Sequence, residues 1–303
     1  MSETSGGPRR VLLFGASGFI GRWVRARLDG DPRVSELHCP GRARLDLLTA
    51  GAAEVAGLLA ETRPDLILNC MGKLTGPPDV LMRANAGVVA LLLRTMAEIA
   101  PSARLVRLGS AAEYGACVPG YTIQEDDATL PLSDYGVSHL AGSGLVRNSP
   151  LDAVSLRVFN PVGPGTSDAS VLGRAADLLR EAVATGASSI TLGSLAAMRD
   201  FIDVRDVADA VVAAAFAPSM PERIFNVGSG QALPVRVPVA LLAREHGFHG
   251  DIHESEPSSA RSAAVQWSQA DIGRARRLLG WEPKRTLETS VRDMTQLGST
   301  INA

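Results

Sequence analysis

A short apolar run that leads into regularly spaced glycines constrains the fold of this chain more than any other feature. Val11–Phe14 runs straight into the loop Gly15–Gly21, and apolar residues at helical spacing follow along Phe19–Leu28. Glycine at the first and last loop positions permits a sharp turn and close packing of the helix against the strand. Residues 11–28 are therefore predicted to form a strand–turn–helix unit.

The same alternation of strands and helices continues through the first half of the sequence. Because parallel strands joined by helices form right-handed crossovers, the sheet is expected to be covered on both faces. We predict an α/β fold with a doubly wound parallel sheet of Rossmann type, which binds ligands beyond the carboxyl ends of its strands. The predicted strands are Val34–Cys39, Asp65–Cys70, Arg104–Leu108 and Ala153–Val158, and the predicted helices are Ala50–Thr62, Asp79–Ala100 and Tyr135–Arg147.

The loop Gly15–Gly21 is suited to hold an anion. A helix N-terminus presents unpaired N–H groups and a positive dipole end, and Gly18 leaves room for the backbone to approach a pyrophosphate. The alternative is an ordinary glycine-rich turn, but the flanking strand and helix favour a dinucleotide. The predicted cofactor contacts in this loop are Gly15, Ser17, Gly18, Phe19, Ile20 and Gly21.

The predicted second strand ends in Pro40-Gly41-Arg42. A dinucleotide without a 2′-phosphate usually meets an acidic residue at this place, whereas arginine can form two bonds with a phosphate. We therefore expect NADP(H) as the cofactor, with Arg42 at the 2′-phosphate, and NAD(H) as the alternative. Arg42 could instead be a solvated loop residue.

Bulk properties exclude several classes of protein. The formal net charge of −2 over 303 residues provides no basic surplus for nucleic acid. The three cysteines lack metal-binding spacing and suit a reducing cytoplasm. We expect a cytoplasmic protein with no metal site, no nucleic acid partner and no membrane segment.

Several further segments occur in an order that is specific to one family. The segments are Leu108–Gly115, Tyr135–His139, Phe159–Gly165, Arg199–Val207, Phe225–Gly230 and Leu278–Pro283. With the glycine loop, they resemble the extended short-chain dehydrogenase/reductase family, which is also called the NAD-dependent epimerase/dehydratase family. Residues 192–207 look most like the corresponding segment of GDP-4-keto-6-deoxy-mannose reductases and related dehydratases.

The resemblance implies a reaction centre. Tyr135 would donate a proton to a carbonyl oxygen, and Ser110 would hydrogen-bond that oxygen and orient it. Relatives have a lysine four residues after the tyrosine, but this chain has His139 there. A histidine can bond a ribose hydroxyl, yet it carries little charge at neutral pH and supports the tyrosine less.

The resemblance also implies the remaining contacts of the cofactor and the substrate. Residues 1–160 would bind the dinucleotide, with 199–226 returning to that domain, while 161–198 and 227–303 would form a smaller C-terminal substrate-binding lobe. Further cofactor contacts would be Asp46, Leu47, Met71, Gly72, Lys73, Pro161 and Val162, together with Tyr135 and His139. Substrate contacts would be Ser110, Ala111, Asn160, Arg199 and Arg261.

Three functions fit these motifs. Dehydratases of the family carry an acid at the position of Ala112, and Glu113 would face differently in an extended segment, which leaves reduction or epimerisation. The leading hypothesis is NADPH-dependent reduction of a nucleotide-linked 4-keto-6-deoxy sugar by a homodimer. The alternatives are an epimerase with retained NAD(P) and an NADP(H)-binding protein that His139 leaves weakly active or inactive.

Overall fold

The computed structural model describes residues 7–256 and 265–297. Its main sheet is six-stranded and parallel, in the order β2-β1-β3-β4-β5-β9. The strands are β1 (Arg9–Phe14), β2 (Val34–His38), β3 (Leu66–Asn69), β4 (Arg104–Ser110), β5 (Ala153–Val158), β6 (Asn160–Val162), β7 (Ser189–Leu192), β8 (Met198–Asp203), β9 (Ile224–Val227), β10 (Ala232–Pro234) and β11 (Asp251–Glu254).

Helices cover both faces of this sheet. The helices are α1 (Gly21–Leu28), α2 (Ala52–Thr62), α3 (Pro78–Met82), α4 (Val88–Ile99), α5 (Asp134–Arg147), α6 (Val171–Thr185), α7 (Val204–Phe216), α8 (Arg236–Glu245), α9 (Gly273–Leu279) and α10 (Leu287–Leu297). Alternate residues of β1 enter two different cores: Val11 and Leu13 pack with α1 and α7, and Leu12 and Phe14 pack with α2 and α4. The predicted doubly wound parallel sheet is therefore confirmed.

A separate apolar core forms beside the main sheet. It joins α6, α8 and residues of α10 to Ile190, Leu192 and Phe201. Strand β8 pairs with β6 and β10 in a small three-stranded sheet, and β11 pairs with β7. These elements lie after Asn160, where the regular alternation of the sequence ends.

The predicted helix Asp79–Ala100 differs from expectation in one respect. Residues Pro78–Ile99 form a continuous helical segment, but Arg83–Gly87 within it is a π-helical turn. The segment is long and apolar enough to cross a membrane, and more than half of it is buried inside the fold. Its packing against α2 and α5 is typical of a core helix.

Candidate active site

The ends of neighbouring strands bring the glycine loop against the segment after β3. Gly15 has φ +75° and lies so close to that segment that a Cβ on it would be 2.8 Å from the carbonyl carbon of Cys70. The Gly18 N–H donates to the Gly15 carbonyl at 2.9 Å, which closes the turn. The left-handed φ and the close approach to Cys70 both require glycine at position 15.

Gly21 allows the first turn of α1 to rest directly on this loop. A Cβ on Gly21 would lie 1.9 Å from the Gly15 carbonyl oxygen, and one on Gly18 would lie 3.2 Å from the same oxygen. The loop is thus a backbone cradle with the N-terminus of α1 behind it. Its shape and the N–H groups at this helix N-terminus fit a dinucleotide pyrophosphate.

Substitution of Gly21 by alanine is expected to lower the affinity for NADPH at least about tenfold, because the added methyl group must displace the turn. Gly57→Ala in α2 is the matched control, since a Cβ there meets nothing within 4 Å. It should leave NADPH affinity unchanged and raise stability by up to about 1 kcal/mol. Titration calorimetry with NADPH measures both affinities; equal affinities would contradict the role of the cradle.

The predicted adenosine end of the site lies beyond β2. Arg42 is exposed and forms no ion pair within 7–256 and 265–297, whereas the neighbouring Arg44 bonds the Glu61 carboxylate. Asp46 accepts the Leu48 N–H at 3.0 Å, and Leu47 is buried. Arg42 is therefore available to a ligand phosphate, while Arg44 already has an anionic partner.

Asn85 connects the predicted Met71-Gly72-Lys73 segment to α5. Its Oδ1 accepts the Lys73 N–H at 2.9 Å, and its Nδ2 donates to the Lys73 carbonyl at 2.9 Å and to Ser138 Oγ at 3.0 Å. Met71 N–H donates to the Asn69 side chain at 3.1 Å. Asn85 lies in the π-helical turn. Through its side chain, this turn positions the loop that follows β3 against α5, the helix that carries Tyr135.

Ser110 ends β4 and is almost fully buried, with 8% of its surface exposed. Its backbone N–H donates to Glu113 Oε1 at 3.0 Å, and its Oγ accepts the Ala112 N–H at 3.2 Å. The segment after Ser110 is not extended, because Ala111–Glu113 is a 3₁₀ turn. The turn directs Glu113 into the interior, so this carboxylate does not replace the acid missing at Ala112.

Tyr135 and His139 lie one turn apart on α5 and their rings contact edge to face, with centroids 4.5 Å apart. His139 is buried, and burial followed by the charge of Arg107 holds the pKa of its imidazole well below the ordinary value. A Cβ on Gly136 would lie 2.5 Å from the Ala112 carbonyl oxygen. The first turn of α5 is therefore packed on the turn that follows Ser110, which brings the predicted reaction centre together.

Two of the predicted substrate contacts, Asn160 and Arg199, lie on the small sheet next to this centre. Pro161 and Val162 continue β6 directly after Asn160, whose Nδ2 donates to the Asp200 carbonyl at 2.9 Å. Arg199 is half-buried on β8, which pairs with β6. Ala111 follows Ser110 in the 3₁₀ turn. Arg261 lies outside the described residues.

The two carboxylates that follow Arg199 on β8, Asp200 and Asp203, bond to several neighbouring groups. Asp200 accepts the N–H groups of Ser229 at 2.6 Å and of Gly230 and Ala270 at 3.0 Å each, while Asp203 pairs with Arg205 at 2.7 Å. Both carboxylates therefore serve the local structure. Within 7–256 and 265–297, no three His, Cys, Asp or Glu side chains are grouped closely enough to hold a metal ion.

Sequence reasoning missed two arginines behind the reaction centre. Arg107 in β4 and Arg157 in β5 are both fully buried. Arg157 pairs with Glu113 at 2.7 Å, and Arg107 contacts the ring of His139. The sequence does contain a signal for both residues, because each arginine interrupts an apolar stretch of its strand. A charged residue buried in such a strand must find a partner in the interior.

Comparison with known proteins places the chain in a family. The model described as "NAD dependent epimerase/dehydratase family" matches residues 11–228. A dTDP-6-deoxy-L-talose 4-dehydrogenase (NAD(P)(+)) from Kitasatospora kifunensis is 36% identical over 308 residues, which cover 97% of this chain and 96% of that protein. A GDP-6-deoxy-D-mannose reductase from Pseudomonas aeruginosa is 27% identical over 298 residues, 94% of this chain and 95% of that protein.

The fold is also that of a solved relative. The structure described as RMD from Pseudomonas aeruginosa complexed with NADPH matches with a TM-score of 0.83 at 24% identity, over 96% of this chain and 99% of that chain. The motifs, the parallel sheet and these matches agree. The chain belongs to the NAD-dependent epimerase/dehydratase family, the extended short-chain dehydrogenase/reductase family that its motifs resemble.

Proposed function

We propose that this enzyme reduces a nucleotide-linked 4-keto-6-deoxy sugar with NADPH. The observation that carries the proposal is the arrangement around Ser110: Tyr135 stands on the helix packed against its turn, and Glu113 is held in the interior by Arg157. The centre thus offers a proton donor and a hydroxyl group but no carboxylic acid at Ala112. This set suits carbonyl reduction and lacks the acid that elimination of water requires.

Ser110 and Tyr135 have separate roles in the proposed reduction. Ser110 Oγ holds the C4 carbonyl oxygen, and Tyr135 donates its phenolic proton to that oxygen as the ketone becomes an alcohol. NADPH bound on the glycine loop would supply the hydride that C4 receives. Tyr135 then recovers a proton from water, so that each turnover consumes one proton and one NADPH.

Two relatives support the choice of substrate. The printed names of the Kitasatospora and Pseudomonas proteins both refer to 6-deoxy sugars linked to a nucleotide, and the first is a 4-dehydrogenase. Arg199 on β8 is suited to bond the diphosphate of such a sugar, because its planar guanidinium can hold two oxygens. We therefore propose dTDP- and GDP-linked 4-keto-6-deoxy sugars as the first substrates to test.

The test is to incubate the purified protein with each keto sugar and NADPH and to follow the absorbance of the reduced nicotinamide. The proposal expects equal amounts of NADPH consumed and sugar alcohol formed with at least one of them. No consumption with any nucleotide-linked keto sugar would overturn it. A reaction that interconverts two sugar epimers without net NADPH loss would instead support the epimerase.

Arg42 is proposed to select the phosphorylated cofactor. Removal of its guanidinium in Arg42→Ala should raise the Kd of NADPH about tenfold or more, as expected for a lost hydrogen bond between charged groups. The Kd of NADH should change little. Arg44→Ala is the matched control, because Arg44 is already bonded to Glu61. Equal losses for NADPH and NADH in Arg42→Ala would contradict the assignment.

A further inference from the structure

Arg107 is a buried cation that bonds to α5, the helix that carries Tyr135. Its side chain is enclosed in β4, where 2% of the residue is exposed. Nη1 donates to the His139 carbonyl at 3.1 Å and to Ser143 Oγ at 3.2 Å, and Nη2 lies 2.9 Å from His139 Nδ1. Arg107 forms no ion pair within 7–256 and 265–297. Burial lowers the pKa of Arg107, but a guanidinium starts high enough to stay charged at neutral pH.

The contact with Arg107 determines where His139 carries its proton. A guanidinium has hydrogen-bond donors and no acceptor, so His139 Nδ1 must be the acceptor. The single proton of a neutral imidazole is then on Nε2. His139 therefore presents an N–H donor on the side of its ring away from Arg107.

The same guanidinium places a permanent positive charge close to the proton donor. It contacts one side of the imidazole, and Tyr135 contacts that ring at 4.5 Å between centroids. Arg107 and Tyr135 are also coupled electrostatically. A cation here stabilises the negative charge that develops on Tyr135 as its proton leaves.

The backbone is shaped to admit this arginine. A Cβ on Gly142 would lie 2.8 Å from Arg107 Nη1 and 2.5 Å from the Asn85 carbonyl oxygen. Any other residue at position 142 would push α5 away from the guanidinium and from the π-helical turn. The close approach of α5 to β4 therefore depends on glycine at position 142. The contact between Arg107 and His139 depends on it as well.

We propose that Arg107 is a positioning residue for the reduction. It fixes His139 as the Nε2–H tautomer and supplies, from β4, the positive charge that relatives carry on a lysine of the helix. Arg107 and His139 together thus take the place of the single lysine of the relatives. The inference rests on the proposed function, in which Tyr135 is the proton donor.

The tautomer is measured without any turnover. Two-bond ¹H–¹⁵N correlation spectra of the histidine rings show which nitrogen carries the proton, and the resonances of His139 are those lost in His139→Gln. The proposal expects a protonated Nε2 and an unprotonated Nδ1, unchanged through the pH range in which an ordinary histidine titrates. A protonated Nδ1, or a ring that titrates in the ordinary range, would overturn it.

Kinetics then separate a positioning role from a structural one. Arg107→Met should lower kcat about 10–100-fold, with a smaller change in the KM for NADPH, and should raise the pKa of His139. Arg104→Met is the matched control: Arg104 lies in the same strand and bonds Asp152 and carbonyl groups at the opposite end. It should lower stability and leave kcat unchanged. An unchanged kcat in folded Arg107→Met would contradict the proposal.

Restoring the lysine gives the sharpest test. His139→Lys alone should lose activity, because it puts an ammonium beside the buried guanidinium. The double variant Arg107→Met/His139→Lys should regain at least about tenfold in kcat over either single variant, because one cation is again present. A gain of activity in His139→Lys alone would overturn the inference. If no sugar is reduced at all, the proposed function fails, and the histidine spectra still decide whether Arg107 fixes the tautomer of His139.

Discussion

Replacement of Tyr135 by phenylalanine is expected to lower kcat about 10²–10⁴-fold, the usual contribution of a positioned proton donor. The variant loses the phenolic hydroxyl and keeps the ring that contacts His139 at 4.5 Å between centroids. The Kd of NADPH should change far less than kcat, because Tyr135 is one of many predicted cofactor contacts and its ring stays in place. Steady-state kinetics with the keto sugar and calorimetric titration with NADPH measure the two quantities independently.

The control for this variant is Tyr121→Phe. Tyr121 is exposed and donates its hydroxyl to Asp127 at 3.0 Å, on a loop that carries none of the predicted site residues. Its replacement removes the same atom and should leave kcat unchanged. If Tyr135→Phe retained the kcat of the unsubstituted enzyme, another group would have to donate the proton.

The second large effect is expected on stability, at the buried pair of Glu113 and Arg157. Both side chains are almost fully enclosed and meet at 2.7 Å. Glu113→Ala leaves the Arg157 guanidinium buried without its carboxylate, which should lower the free energy of unfolding by about 3–5 kcal/mol. The same change removes the acceptor of the Ser110 N–H, so kcat should fall as well.

Urea denaturation measures this loss, with a change in the midpoint at constant slope. The double variant Glu113→Ala/Arg157→Met should be more stable than the sum of the two single losses predicts, because no unpaired charge is left. Arg180→Ala is the control at an exposed pair with Asp177, where little change is expected. Additive losses at the buried pair would show that the two charges do not depend on each other.

Regular elements could be predicted because local patterns determine them. The strand Ala153–Val158 has the predicted bounds, and a regular helix spans Val171–Thr185. The helix begins after Ser170, whose side chain accepts the Gly173 N–H at 3.0 Å, and ends at Gly186, which has φ +69°. Capping residues of these types mark helix ends in the sequence itself.

The parts that could not be predicted depend on contacts between distant residues. The π-helical turn at Arg83–Gly87 has the apolar spacing of an ordinary helix, and Asn85 acquires its role only through Lys73 and Ser138. Arg107 is visible as a charge within an apolar strand, but its partner His139 is 32 residues away. From the sequence alone, His139 is therefore only a weakened substitute for the lysine of the relatives. The cation that contacts its ring, Arg107, is identified by the structure.

The most direct test of the account uses NADPH that carries deuterium at the transferable position of the nicotinamide. The enzyme is incubated with a dTDP- or GDP-linked 4-keto-6-deoxy sugar, and the product is analysed by mass spectrometry and NMR. The account predicts one deuterium at C4 of the sugar alcohol for each NADP⁺ formed. An epimerised sugar without deuterium and without net formation of NADP⁺ would contradict it.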